Sequence, residues 1–211
     1  MDMKIYDISQ EVFSCVVFPG DPKPEGEQVM SIRKGDMVNL TKLTMCAHNG
    51  THVDAPYHFL DAGKKVDEMD LERLIGYAFV ADHNGVVTAE DAKQIVEKAR
   101  MASELCKRPD CDAYRRILIK GADTVVTEEA AVAFRDRKIY LLGNESQTVG
   151  PMEAPKQVHL TLLGAQVVLL EGIRLEAVPE GIYLLHAAPI NLGGCDGAPC
   201  RATLISEEEY E

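Results

Sequence analysis

The eleven residues HNGTHVDAPYH, from His48 to His58, restrict the local fold more than any other stretch of this sequence. They hold three of the six histidines in the chain, spaced as His-x3-His-x-Asp-x3-His. Histidines four residues apart suggest one face of a helix. A helix is nevertheless excluded, because Pro56 would lack a donor and clash with the carbonyl of His52, while Gly50 is typical of a turn. We therefore predict a strand that ends near His48, a turn at Asn49 and Gly50, and a short extended piece.

The extended piece places His52 and Asp54 on the same side, because side chains alternate along a strand. With His48 they can converge on one ion, and neutral imidazoles with a carboxylate suit Zn²⁺, Mn²⁺ or Fe²⁺. No glutamate stands beside the first histidine, so the usual metalloprotease base is missing and His58 is free for proton transfer. A single histidine is more often structural, but four donors together favour a metal site. We interpret Cys46 as a small apolar strand residue rather than as a ligand.

Charge and composition exclude several classes of protein. The net charge of −12 over 211 residues repels phosphate backbones and anionic lipid, so we predict neither nucleic acid nor a membrane as partner. The N-terminus lacks the basic and apolar regions of a signal peptide, and the six cysteines lack zinc-knuckle or redox spacing. We predict a cytoplasmic protein with reduced thiols, folded as one domain over residues 1–211.

Apolar runs alternate with amphipathic stretches, which predicts an α/β fold. Helices are predicted from the cap Thr88 to Met101, and over residues 128–135 with Thr127 as cap. Residues 158–164 are ambiguous, residues 18–27 (FPGDPKPEGE) read as an irregular loop, and the acidic tail SEEEYE reads as a solvated end. Predicted strands cover residues 4–12, 40–47, 77–81, 116–120, 138–142, 166–170 and 181–185, and the last apolar segment is residues 202–205.

The stretch HNGTHVDAPYH also resembles the His-x-Gly-Thr-His-x-Asp-x-Pro-x-His motif of the cyclase family, which includes bacterial kynurenine formamidase and isatin hydrolase. Further matches lie along the chain in the order found in the family: FPGDP at 18–22, before the motif, then GNESQTVGP at 143–151, His159, LLEGI at 169–173 and GGCDGAPCRATL at 193–204. The resemblance implies a swivelling β/β/α-type single domain, with a mixed, barrel-like sheet and flanking helices. It also implies a homodimer or homotetramer.

The resemblance further implies a two-metal site. His48, His52 and Asp54 would bind one divalent ion, and Asp54 would bridge to a second ion held by His159 and Glu171. The ions would be Zn²⁺ or Mn²⁺, two per subunit. Without the resemblance, His159 is interpreted as a packed core residue and Glu171 as the end of a strand.

Two further residues are predicted to contact substrate. Ser146 lies where the family often has a site serine, and Phe18 takes the place of a tryptophan that is common in kynurenine formamidases. The chain contains no tryptophan, and its residues 106–123 also differ from the formamidase pattern. Phe18, Tyr57 and Phe59 could together line a pocket for an aromatic substrate.

The implied activity is a metal-dependent amidohydrolase that acts on C–N bonds other than peptide bonds in a small-molecule substrate. Metal-activated water would cleave a formamide, such as N-formylkynurenine from tryptophan catabolism, or a lactam, with His58 as general acid/base. One alternative is a non-catalytic metal-binding protein of the same fold that binds a ligand, which would have a closed coordination sphere. Others are a family hydrolase for a different cyclic substrate and a histidine-rich interaction protein.

Overall fold

The computed structural model describes residues 3–207. Its helices are α1 (Ala89–Leu105), α2 (Glu128–Asp136) and α3 (Lys156–Gly164). None of the helices described is long and apolar enough to cross a membrane. The strands are β1 (Met3–Asp7), β2 (Glu25–Met30), β3 (Leu40–Thr44), β4 (His52–Asp54), β5 (Ile75–Asp82), β6 (Val86–Val87), β7 (Arg116–Lys120), β8 (Val125–Val126), β9 (Leu141–Asn144), β10 (Val168–Glu171), β11 (Gly181–His186), β12 (Gly197–Pro199) and β13 (Thr203–Glu207).

Nine of these strands form one mixed sheet, in the order β1-β13-β11-β5-β7-β9-β10-β4-β12. The central strands β5, β7, β9 and β10 run parallel, whereas β4 pairs antiparallel with both β10 and β12. Strands β2 and β3 form a separate antiparallel ribbon, and β6 pairs with β8. The predicted α/β fold, with a large mixed sheet and flanking helices, is confirmed. That residues 1–211 form one domain stays a prediction.

The helices cover one face of the sheet. Strand residues Phe79 and Ile117 are buried there against Val96 of α1, Phe134 of α2 and Leu162 of α3. Neighbouring strand residues such as Val80 and Leu118 belong to a second apolar cluster on the opposite face. This alternation follows from the period of two along a strand. Because both faces of the central strands are buried, their sequences read as continuous apolar runs.

Thr88 and Thr127 start the helices as predicted. The Thr88 hydroxyl accepts a hydrogen bond from Asp91 N, and the Asp91 carboxylate accepts one from Thr88 N, which forms a capping box. The Thr127 hydroxyl accepts from Ala130 N at 3.1 Å. Helix α1 continues to Leu105, four residues beyond the predicted end at Met101.

Several predicted boundaries were wrong, for identifiable reasons. Strand β9 begins at Leu141 rather than Lys138, because Lys138 has φ 56° and closes the end of α2. Gln166 has φ 62°, so β10 begins at Val168. Both residues occupy the left-handed region, which a strand does not allow.

Other segments also differ from the prediction. The ambiguous residues 158–164 belong to helix α3, and the loop at 18–27 ends at Pro24, where β2 follows. The predicted strand 4–12 is shorter and ends at Asp7, and the apolar segment 202–205 contributes to a strand that starts at Thr203 and continues to Glu207. Ser206 of the predicted solvated tail is therefore part of a strand, and residues 208–211 lie outside the described residues.

Gly172, directly after β10, offers a test of how tightly the chain is packed beside the candidate site. It has φ 69°, and a Cβ there would lie 2.5 Å from Gly50 O and closer still to the Gln147 side chain. Gly85 has a similar φ of 76° but open space around it. We expect Gly172→Ala to destabilise the protein by about 1–3 kcal/mol more than Gly85→Ala does, since overpacking adds to the same backbone strain.

Thermal unfolding of the two variants checks this prediction. The thermal unfolding midpoint of Gly172→Ala should lie below that of Gly85→Ala. The difference should be about 2–4 °C for each kcal/mol of additional destabilisation. Equal midpoints for the two variants would show that Gly50 and Gln147 can move aside without cost.

Candidate metal centre

Three neighbouring elements bring four candidate ligands together. Strand β4 presents His52 and Asp54 on one face, and its antiparallel register places His52 opposite Glu171 at the end of β10. Helix α3 adds His159, which is 2% exposed. Glu171 thus lies at the carboxyl end of a parallel strand, where open α/β sheets bind their ligands. Neither Glu171 nor His159 is close to the histidine motif in sequence.

His48 lies on the predicted turn before β4. The Asn49 side chain accepts from Cys46 N at 2.9 Å and donates to Pro22 O at 3.1 Å, and Gly50 has φ 69°. The preceding strand β3 already ends at Thr44, so the prediction that it reaches His48 was wrong. Cys46 accordingly lies half-buried in the turn and not in a strand. It is a free thiol, as are the other five cysteines.

Two of the imidazoles are held in a defined orientation by backbone carbonyls. His52 Nδ1 donates to Gly50 O at 3.0 Å, and His159 Nδ1 donates to Pro155 O at 2.8 Å. A carbonyl can only accept, so Nδ1 carries a proton in both rings. In the neutral rings, the lone pair is therefore on Nε2. Metal-binding histidines are commonly oriented by a contact of this kind.

Both Nε2 atoms face carboxylate oxygens. His52 Nε2 lies 3.4 Å from Asp54 Oδ1 and 3.5 Å from Glu171 Oε2. His159 Nε2 lies 3.2 Å from Glu171 Oε1 and 3.6 Å from Asp54 Oδ2. Asp54 Oδ2 is buried and has no hydrogen-bond partner. Lone pairs that face buried anionic oxygens require positive charge between them, either second protons or a metal cation. The residues therefore fit a divalent metal.

The candidate ligand atoms fall into two groups that share Asp54. One group consists of His48, Asp54 and His58, and the other of His52, Asp54 and Glu171; within each group the ligand atoms lie within 4.8 Å of one another. The division implied by the resemblance, with His48 and His52 on one ion, stays a prediction. In both arrangements the Asp54 carboxylate is the common member. His58, predicted as the proton carrier, is also placed among these donors.

The carboxylates raise the pKa of the surrounding imidazoles. Burial lowers the pKa of His48 and His52, but hydrogen bonds and charges from neighbouring carboxylates outweigh it and raise these pKa values to about 11 and about 9. The pKa of His159 is also raised, because Glu171 outweighs burial. Burial raises the pKa of Asp54, but His48 and His52 hold it well below the usual value. Without metal, protons supply the positive charge, and a metal ion must displace them.

Asp196 belongs to this cluster, although the sequence did not point to it. Its Oδ2 lies 2.8 Å from His48 Nε2 and 3.1 Å from His58 Nδ1. The other ring nitrogen of His48, Nδ1, lies 2.9 Å from Asp54 Oδ1. The hydrogen bond to His48 lowers the pKa of Asp196, even though burial opposes the shift. Asp196 lies inside the segment GGCDGAPCRATL that matches the family, and this match was the one feature of the sequence that could have indicated its place in the site.

A cavity of about 190 Å³ opens onto these groups. Phe18, Phe59 and His58 line it, and the Phe59 ring stacks on His159 with 4.5 Å between ring centroids. Tyr57 does not line this cavity, contrary to the predicted aromatic set. Ser146 lines a different, neighbouring cavity. The sequence missed the cavity-lining residues Gln147 and Thr148, although both lie within the matched segment 143–151.

Fold and site together define a metal-dependent hydrolase, with buried imidazoles and carboxylates at the carboxyl end of a parallel strand. A family model described as putative cyclase matches residues 6–150. The chain belongs to the cyclase family.

Curated and solved relatives cover almost the whole chain. Kynurenine formamidase of Salinibacter ruber is 31% identical over 96% of this chain and 97% of its own length. Cyclase-like protein 1 of Arabidopsis thaliana is 30% identical over 96% of this chain and 85% of its own length. Among solved structures, a protein from Bacillus stearothermophilus that is described as a predicted metal-dependent hydrolase has a TM-score of 0.77 at 27% identity, covering 98% of this chain and all of that one. Isatin hydrolase A from Labrenzia aggregata shares the fold, with a TM-score of 0.74 at 22% identity over 98% of this chain and 94% of that one.

Proposed function

We propose that this protein hydrolyses an amide-type C–N bond in a small substrate, either a formamide such as N-formylkynurenine or a lactam. The observation that carries the proposal is the set of Nε2 lone pairs of His52 and His159 facing the carboxylates of Asp54 and Glu171. That arrangement suits a bound divalent cation. Relatives named kynurenine formamidase support the choice of bond.

The metal is proposed to be Zn²⁺ or Mn²⁺, because imidazole nitrogens and carboxylate oxygens are the donors present. His48, His52, Asp54, His159 and Glu171 would hold it, and the two groups that share Asp54 suggest two ions per subunit. Bound there, a divalent ion lowers the pKa of water from 15.7 to about 7 and polarises a carbonyl.

The remaining residues of the site have separate roles in the proposed reaction. His58 lines the cavity beside the ligands, where its ring takes a proton from the attacking water and gives it to the departing nitrogen. Phe18 and Phe59 form the apolar lining of the cavity, which binds an aromatic ring and excludes water. Val149 N donates to Glu171 Oε1 at 2.8 Å and keeps that carboxylate in place.

The size of the cavity favours a compact substrate. Its volume of about 190 Å³ is below the usual range for small-molecule sites, which is about 300–1,000 Å³. A fused-ring lactam is smaller than an amino acid that carries an aryl side chain. Lactam hydrolysis is therefore the second candidate, and both substrates belong in the same experiment.

Hydrolysis of N-formylkynurenine and of isatin by the metal-loaded protein tests the proposed function. Turnover with kcat/KM of about 10⁴ M⁻¹s⁻¹ or more on one of them, abolished by a chelator and restored by added metal, would support it. Metal analysis of the same sample gives the number of ions per chain. A metal-loaded protein that hydrolyses neither compound would exclude these substrates and favour a different cyclic substrate or a ligand-binding role.

We further propose that the protein is a homodimer or homotetramer, held through residues 25–44, here called the β2–β3 arm. A two-stranded ribbon is marginally stable alone in water, and the arm pairs with no other sheet within residues 3–207. It nevertheless exposes six large apolar side chains, which suits contact with a second copy. These are Val29, Ile32, Met37, Val38, Leu40 and Leu43.

Charged substitutions on the arm should dissociate the oligomer. We expect the double variant Met37→Glu, Leu43→Glu to weaken association at least about 10-fold, since each carboxylate would be buried without a partner. Light scattering during size exclusion measures the mass. The matched control is Met101→Glu, Leu105→Glu on α1, which changes two exposed apolar residues in the same way. An arm variant with the mass of the wild-type oligomer would contradict this interface.

A further inference from the structure

Asp196 contacts two functional imidazoles with a single oxygen atom. It lies immediately before β12, with 41% of its side chain exposed. Its Oδ2 is within hydrogen-bond distance of His48 Nε2 and His58 Nδ1. The two rings lie next to each other, with 4.0 Å between centroids and 33° between planes. Asp196 therefore joins a proposed metal ligand to the proposed proton carrier.

These contacts decide where the protons are. An ionised carboxylate only accepts hydrogen bonds, so each ring nitrogen that faces Asp196 carries a proton. In the neutral rings, the lone pairs are then on His48 Nδ1 and His58 Nε2. His48 Nδ1 lies 2.9 Å from Asp54 Oδ1, so it is the nitrogen of His48 that a metal ion would bind after displacing the proton shared with Asp54. The free nitrogen of His58 is the one remote from Asp196, on a ring that lines the cavity.

We propose that Asp196 is a positioning residue that fixes the tautomers of His48 and His58 together, which makes His58 Nε2 the atom that transfers the proton. The proposal rests on the proposed function, because it concerns a proton moved during hydrolysis. A buried carboxylate has the same effect on the histidine of a catalytic triad, where it holds the imidazole in the correct tautomer and stabilises the imidazolium. Here one carboxylate serves a ligand and a proton carrier at once.

A purely structural role fits the geometry less well. Backbone contacts anchor this segment: Ala55 N donates to Asp196 O at 2.9 Å and Val66 N donates to Cys195 O at 3.0 Å, and neither uses the Asp196 side chain. The side chain is partly exposed, and Asp196→Asn keeps its size. We therefore expect Asp196→Asn to fold with a thermal midpoint close to that of the wild type.

The test compares Asp196→Asn with Asp61→Asn in the metal-loaded protein. Asp61 is an exposed carboxylate three residues after His58, so its change removes the same charge without touching either ring. We expect Asp196→Asn to lower kcat about 10- to 100-fold with little change in KM, because asparagine can also present an N–H to the rings. Asp61→Asn should match the wild type. Asp196→Glu, which restores a carboxylate, should recover part of the activity.

Two measurements separate this role from a structural one. Nuclear magnetic resonance of ¹⁵N-labelled histidines should show His58 protonated on Nδ1 in the wild type and in Asp61→Asn, and a mixture of tautomers in Asp196→Asn. In a His58→Ala background, adding Asp196→Asn should lower kcat by less than about 2-fold while bound metal is retained, since residues that act as a unit are non-additive.

Unchanged His58 tautomer and kcat in Asp196→Asn would overturn the proposal. A full additional loss of kcat in the His58→Ala background, with bound metal retained, would also overturn it, since Asp196 would then act by a route other than the two rings. If the wild type hydrolyses neither N-formylkynurenine nor isatin, the proposed function fails. The tautomer measurement needs no turnover and still decides whether Asp196 positions the two rings.

Discussion

Asp54→Ala should lose bound metal and turnover together. Asp54 is the member common to both groups of candidate ligands, and its two oxygens face His48, His52 and His159. Removing it leaves neither group complete. Changing a residue that merely supports a ligand costs about 10- to 100-fold in metal affinity or activity, and we expect a larger loss here. Metal analysis after loading and removal of free ions gives the first readout, and turnover of the preferred substrate gives the second.

The control for this variant must separate loss of metal from loss of fold. Asp54 is 1% exposed, and without its charge the surrounding imidazoles lose the partners that raise their pKa values. Asp54→Asn keeps the shape of the side chain, so it should fold at least as well as Asp54→Ala and still lose metal. Asp61→Ala serves as the exposed counterpart. If folded Asp54→Asn and Asp54→Ala both retained metal and full turnover, the site would lie elsewhere.

The local part of this site can be predicted from the sequence, because it depends on short-range geometry. Pro56 and Gly50 exclude a helix, and the period of two in an extended chain then places His52 and Asp54 on one face. The structure has this arrangement in β4. None of these inferences needs a contact between residues distant in sequence.

The distant members of the site are set by the pairing of strands, which no local pattern reveals. His52 meets Glu171 because β4 pairs antiparallel with β10 in one particular register. The neighbouring strand β12 aligns Gly197 with Asp54, which places Asp196 beside His48. A shift of one residue in either register would turn these side chains to the opposite face. The resemblance to the cyclase family supplied Glu171 but not Asp196.

The predicted strand boundaries were wrong where the backbone conformation did not follow the strand-like pattern of the side chains. The runs at 138–142 and 166–170 look like continuous strands, yet Lys138 and Gln166 adopt positive φ and end the preceding helices. Both are long polar residues with no particular preference for that conformation. Glycine is the usual residue at such positions, and its absence removed the signal. The stretch at 158–164 was ambiguous for a different reason. Apolar residues occur all around helix α3, so its sequence shows no clear helical periodicity.

His58→Ala should keep its metal and lose turnover. His58 lies in the short helix Pro56–His58, its Nδ1 contacts Asp196, and its ring lines the cavity. General acid or base catalysis by a positioned side chain contributes about 10²- to 10⁴-fold, so kcat should fall by that factor. KM should change little, because Phe18 and Phe59 remain to bind the substrate.

His58 also lies close enough to His48 and Asp54 to be a metal ligand, so the metal content of His58→Ala decides between two roles. Retained metal with lost turnover assigns it to proton transfer. Loss of metal together with turnover would make it a ligand and contradict our prediction. His83→Ala is the matched control, because its half-buried imidazole lies between β5 and β6 and bonds locally, with Nε2 donating to Val86 O at 3.1 Å. A substrate whose departing nitrogen is a better leaving group needs less help from an acid. The His58→Ala defect should therefore shrink with such a substrate if His58 protonates that nitrogen, and should stay constant if it does not.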